Sequence, residues 1–258
     1  MVIRRIREHA ADANWFAVGI DILIVVIGVF LGMQASNWNE ARVERQQGES
    51  YRARLIEDLR ANESDLKQRR DYYLQVRRHA LAALEVFEQP SRPAGEQFLV
   101  DAFQATQIVP RTLSRFTYDE MIAAGGMDHL GDASLRTKVK NYYAGMATAE
   151  TTFRSTPPYR EHLRRVMPYT AQQRARTKCR EILGTAPSGE QRNILPSSCG
   201  LELDPASVAA AVAEVRSSPG IEDDMTRHLI DLDLKLELFS LLEGRARTLR
   251  DTMERQAG

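Results

Sequence analysis

From Ile22 to Met33 every residue is apolar or glycine, and Trp15 and Trp38 bracket the run. Read as helix, Trp15 to Trp38 measures about 35 Å at about 1.5 Å per residue, enough to cross a hydrocarbon core of about 30 Å with both indoles at headgroup depth. The pattern predicts a transmembrane helix over residues 15–38, a basic N-terminus over 1–14 and a soluble domain over 39–258. A cleaved signal peptide shares the basic start, Arg4, Arg5 and Arg7, but needs small residues at the minus-one and minus-three positions of its cut. Cuts after Gly32, Ala35 and Ser36 would place Phe30, Met33 and Gln34 at minus three, so the pattern favours an uncleaved anchor.

Beyond the anchor the period changes. Tyr51, Leu55, Leu59, Leu66, Tyr73, Val76, Ala80, Leu84 and Phe87 recur at steps of three, four or seven among Arg, Glu, Asp and Gln, the mark of a long amphipathic helix. No proline separates it from the anchor, and Gly48 is the one weak link. Helices are expected over 95–107, 113–124, 134–153 and 159–183. Gly184 to Gly200 reads as an irregular loop. Asp204-Pro205 and Ser218-Pro219 read as cap and first-turn pairs for two closing helices. Leu232, Leu234, Leu236 and Leu238 alternate as a strand would, but their flanks are helical and no partner strand of similar quality is visible. The fold class is therefore all-α: a single N-terminal transmembrane helix followed by an elongated extracytoplasmic helical bundle.

Charge and cysteines refine this picture. Basic and acidic residues balance at 35 each, which argues against nucleic acid as a partner. The dense Arg cluster before the span places the N-terminus in the cytoplasm. Cys179 and Cys199, the only cysteines, flank the irregular loop, and an even pair closing a loop suits an oxidising compartment. Two unrelated thiols in a cytosolic domain are the other arrangement the spacing allows. Within the span, Gly28, Gly32 and Ser36 form a small-residue row at four-residue steps. Asp21 lies within about 20° of Gly28 around a helix of 3.6 residues per turn. This stripe suits contact with a second copy or a partner membrane protein. The bilayer is the other partner, and Asp21 at the rim of the span is the plainer reading of that residue.

Catalytic spacing is absent from the linear sequence. His9, His79, His129, His162 and His228 share no metal-ligand spacing, no Gly-x-Ser-x-Gly elbow occurs, and no phosphate loop follows a glycine pair. Asp128-His129 near Asp132 reads as a polar loop. The expectation is a non-enzymatic interaction, assembly or sensing module of the inner membrane, needing no cofactor or metal. The alternatives are an ion-driven motor subunit using Asp21, and an envelope enzyme whose titratable groups converge only in the fold.

The run from Val18 to Glu40, with Gly19 and an acidic residue ahead of the apolar stretch and Gln34 before Asn37-Trp38-Asn39-Glu40, resembles the N-terminal signature of a family of uncharacterised bacterial single-pass membrane proteins, a domain of unknown function. Thr117 to Gly126 and Leu135 to Tyr143 are similar to that family's middle region. The likeness covers Gly19 to Tyr143, with Asp21 where Glu is the norm. It implies an anchored helical domain and supplies no catalytic residues. A shorter likeness, Asp21 to Val25, runs to the single-pass subunits of flagellar stators and biopolymer-transport motors, whose exported domains are mixed α/β.

Overall fold

A computed structural model describes residues 15–89, 91–185 and 191–256, with no side-chain description for 15–18 and 21. The Arg4, Arg5 and Arg7 cluster and the 1–14 segment lie outside the described residues. Helix makes up 78% of the structure, so the chain is all-α.

The anchor and the first amphipathic helix are one element, α1 (Trp15–Glu88), about 110 Å long at about 1.5 Å per residue. Its apolar N-terminal part is long and apolar enough to cross a membrane. Among the described residues Gly48 is its first buried position, about 15 Å along the axis from Trp38. Beyond it, Leu55, Leu59, Leu66, Tyr73, Val76, Ala80 and Phe87 are buried, so the three-four-seven pattern marks the face that meets the domain.

The second long helix, α8 (Ile221–Arg255), runs antiparallel to α1. Arg60 pairs with Glu254, Arg70 with Glu243 and Arg77 with Asp233. Between the two helices Tyr73, Phe239 and Phe153 stack, with ring centroids 5.5 and 4.3 Å apart. Around this pair lie α2 (Glu96–Gln104), α3 (Phe116–Ala123), a 3-10 turn (Gly126–Leu130), α4 (Ala133–Arg154), α5 (Pro158–Val166), α6 (Tyr169–Lys178) and α7 (Pro205–Ser217). Asp204 caps α7 by accepting from the Ser207 N–H at 2.9 Å, as its sequence pair predicts. Leu232 to Leu238 are helical.

Four expectations need correction. The helix expected over 113–124 begins only at Phe116, because the Asn62 side chain holds both the N–H and C=O of Ser114 and Asp58 accepts from the Thr117 N–H. The helix expected over 159–183 is two helices, because Pro168 lacks an N–H and turns the chain between α5 and α6. Its last residues, with part of the expected loop, form a hairpin of β1 (Ile182–Thr185) and β2 (Gln191–Ile194), antiparallel with Ile182 opposite Ile194. Gln75 of α1 holds that hairpin, donating to the Asn193 carbonyl and accepting from the Leu195 N–H. Finally, Ser218 does not cap α8. Gly220, at φ 82°, occupies that position with no side-chain cap, and the Ser218 hydroxyl goes elsewhere.

Candidate functional site

The Gly28, Gly32 and Ser36 stripe is open to its surroundings among the described residues. A Cβ at Gly28 or Gly32 would meet nothing within 4 Å, and Ser36 Oγ donates to Glu40 Oε1 at 3.3 Å, one turn further on. The Asp21 side chain lies outside the described residues.

Cys179 and Cys199 form a disulfide with Cα atoms 5.5 Å apart. It ties the end of α6 to the segment leading into α7. Gln104 of α2 donates to the Cys179 carbonyl at 2.7 Å, so the bond fastens the hairpin region to the core rather than a free loop to itself.

Of the histidines, which sequence spacing left separate, His79, His162 and His228 each find a polar partner in the fold, and His9 lies outside the described residues. His79 Nδ1–H donates to buried Asp101 at 2.7 Å, joining α1 to α2. His228 Nε2–H donates to the Ala105 carbonyl at 2.8 Å and its ring stacks on Tyr159. Burial pushes this imidazole down to about 4, so it stays neutral near neutrality. His129 lies in the 3-10 turn, and Asp132 caps α4 by accepting from the Ser134 N–H. The Asp128-His129 segment is thus a structural turn against α1.

His162 is different. It projects from α5 between two residues flanking the α7–α8 junction, with Nδ1 2.6 Å from Asp224 Oδ2 and Nε2 2.8 Å from Ser218 Oγ. An ionised carboxylate only accepts, so Nδ1 carries the proton, and in the neutral ring Nε2 accepts from the Ser218 hydroxyl. The His162 side chain is 13% exposed and Asp224 30%. Ser218 also lines a pocket of 720 Å³ with Phe87, Val212 and the first turn of α8. A hydroxyl, an imidazole and a carboxylate in hydrogen-bonded sequence can generate a nucleophile.

A second opening, a groove of 880 Å³ between α4 and α8, is lined by small residues such as Ala144, Ser240 and Gly244 together with Lys138 and Arg245. Among the described residues no group of three or more His, Cys, Asp or Glu could hold a metal ion. Comparison with known proteins finds no matching family model, curated protein or solved structure.

Proposed function

We propose that the chain is a single-pass module of the bacterial inner membrane that holds a helical interaction, assembly or sensing domain at a set distance from the bilayer. The observation that carries this reading is the unbroken run of α1 from the apolar segment into the core. The large apolar side chains of Ile22 to Met33 are 47–64% exposed, and nothing in the domain covers them. On an insertion scale such residues contribute about 0.3–0.6 kcal/mol each toward the membrane. The same helix then supplies Leu55 to Phe87 to the core, so tilt or rotation of the anchor would carry directly into the domain.

On this reading residues 1–14 are cytoplasmic and the domain is periplasmic. The disulfide supports that side, since such bonds persist in oxidising compartments. The bilayer is one partner, and a second copy or a partner membrane protein is the other, through Gly28, Gly32 and Ser36. A periplasm-active reporter fused after Gly258 should be active and a cytoplasm-active one silent, with the protein resisting alkaline extraction from membranes. A cytoplasmic signal or release into the soluble fraction would sink the reading.

A further inference from the structure

We propose that Ser218, His162 and Asp224 form a nucleophilic serine site that hydrolyses uncharged carboxylic esters with an apolar acyl group. The proposal goes beyond the anchored-module reading and does not rest on it, since the site lies wholly within the domain. It departs from the expectation of a non-enzymatic protein.

Three observations converge. The first is geometric: Ser218 Oγ to His162 Nε2 at 2.8 Å and His162 Nδ1 to Asp224 Oδ2 at 2.6 Å fall within the reach needed for proton transfer and for orienting the base. The second is access. Of the three, Ser218 is the one that lines the 720 Å³ pocket, half-buried beside the apolar side chains of Phe87, Ala209 and Val212, while His162 and Asp224 lie behind it, outside the pocket lining. The third is electrostatic. Gly220 begins α8 without a side-chain cap, and Glu222 and Asp223 of that first turn line the same pocket. The Ile221 N–H bonds the Ser218 carbonyl and the Asp224 N–H the Gly220 carbonyl, so the main-chain N–H groups of Glu222 and Asp223 are the donors this helix start offers a developing oxyanion.

The same turn carries the carboxylates of Glu222 and Asp223. Among the described residues lining the pocket Arg216 is the one cation, held toward the carbonyls of Gln89 and Arg92, so two carboxylates there outweigh one positive charge. An anionic substrate is therefore repelled, whereas an uncharged ester with an apolar acyl chain meets Phe87, Ala209 and Val212. In the reaction, Ser218 Oγ bonds to the ester carbonyl carbon while its proton passes to His162 Nε2. The carbon–alkoxy bond then breaks, and the proton leaves with the alcohol. Water adds to the acyl-serine through the same imidazole, releasing the carboxylic acid and restoring Ser218. Ser218 and His162 are the catalytic residues, and Asp224 positions the ring.

The test uses the full chain in detergent or nanodiscs with two probes, an alkyl fluorophosphonate and p-nitrophenyl butyrate. The wild type should be labelled at Ser218 and hydrolyse the ester. Ser218→Ala should abolish both while its unfolding midpoint stays close to wild type. Asp224→Asn should slow labelling by about 10³–10⁴-fold, because the amide no longer enforces the Nδ1–H tautomer. A mono-p-nitrophenyl dicarboxylate should be a poorer substrate than the butyrate. If the folded wild type is not labelled, or labelling persists in Ser218→Ala, the proposal is overturned and the three side chains are a structural clamp between α5 and α8. Because Asp224→Asn could loosen that clamp, Ser218→Cys gives an independent reading. Its thiol should react with iodoacetamide faster than a free cysteine when His162 acts as base, and an ordinary or slower rate counts against the site.

Discussion

Gly48 lies against the backbone carbonyl of His129, so close that a Cβ on it would overlap the carbonyl oxygen. The contact joins α1 to the 3-10 turn beside α4, where the helix leaving the apolar segment meets the domain. A glycine inside a helix costs about 0.5–1 kcal/mol relative to alanine, so something must offset that cost here, and the close approach does.

Gly48→Ala should therefore destabilise despite its better helix propensity. Overpacking against backbone costs about 1–3 kcal/mol and the propensity gain recovers about 1, which leaves a net loss of up to about 2 kcal/mol in chemical unfolding. Gly244→Ala is the control, because a Cβ there meets nothing within 4 Å and should stabilise by about 0.5–1 kcal/mol. Equal effects from the two changes would show that the His129 contact is not what keeps Gly48 small.

The disulfide spans a sequence separation of 20, for which chain entropy gives about 3 kcal/mol. Native protein should resist thiol alkylation until it is reduced, and Cys199→Ser should lower unfolding free energy by an amount of that order. Quantitative labelling of both thiols without reductant would remove this support for export.

Much of this fold is written in local patterns, and the exceptions have physical reasons. The three-four-seven rows of α1 and the Asp204 cap are local rules followed locally. The break at Pro168 is masked because Tyr159, Leu163, Met167, Ala171 and Ala175 are all buried at four-residue steps, so the helical period survives a turn in the chain. The β1–β2 hairpin has little pattern to show, since its side chains are mostly exposed and it is held to the domain by the Gln75 amide and the flanking disulfide rather than by an apolar face. Ser218-Pro219 looks like a cap pair, yet the hydroxyl bonds His162, 56 residues earlier in the chain, and that ring bonds Asp224, 62 residues later. No spacing rule joins residues from α5 and α8, so this cluster becomes visible only when the helices are packed.

Acid should weaken the domain through His228. Burial holds its imidazole down to about 4, with the bond to the Ala105 carbonyl and Asp231 opposing and Lys235 adding to the shift. An unfolded histidine titrates near ~6.5. The folded value lies lower, so the unfolded chain binds more protons between those values and stability falls as pH drops from about 6.5 to 4. At about 1.4 kcal/mol per unit the whole difference is about 3 kcal/mol. His228→Gln should be less stable than wild type at pH 7 but lose less on acidification to pH 4.5. Parallel stability curves for the two proteins in urea would assign the acid sensitivity to other groups.

The small-residue stripe of the apolar segment offers a separation of causes that buried glycines do not. A Cβ at Gly28 or Gly32 meets nothing within 4 Å, so Gly28→Ile and Gly32→Ile leave the single chain unhindered, and any effect reports a contact with another helix. In a membrane-helix association assay on residues 1–45, both changes should weaken self-association, because bulky branched side chains block the close backbone approach that a Gly-x-x-x-Gly pair permits. Asp21 falls on the same stripe by helical period, and a polar bond across such a contact contributes about 1 kcal/mol, so Asp21→Asn should have the smaller effect. If none of the three alters association, the stripe is not a self-association face, and a different membrane protein is the partner left to seek. If Asp21→Asn preserves association yet abolishes a proton-dependent activity in cells, the acid is being titrated rather than packed. The ion-driven motor reading then displaces the anchored module.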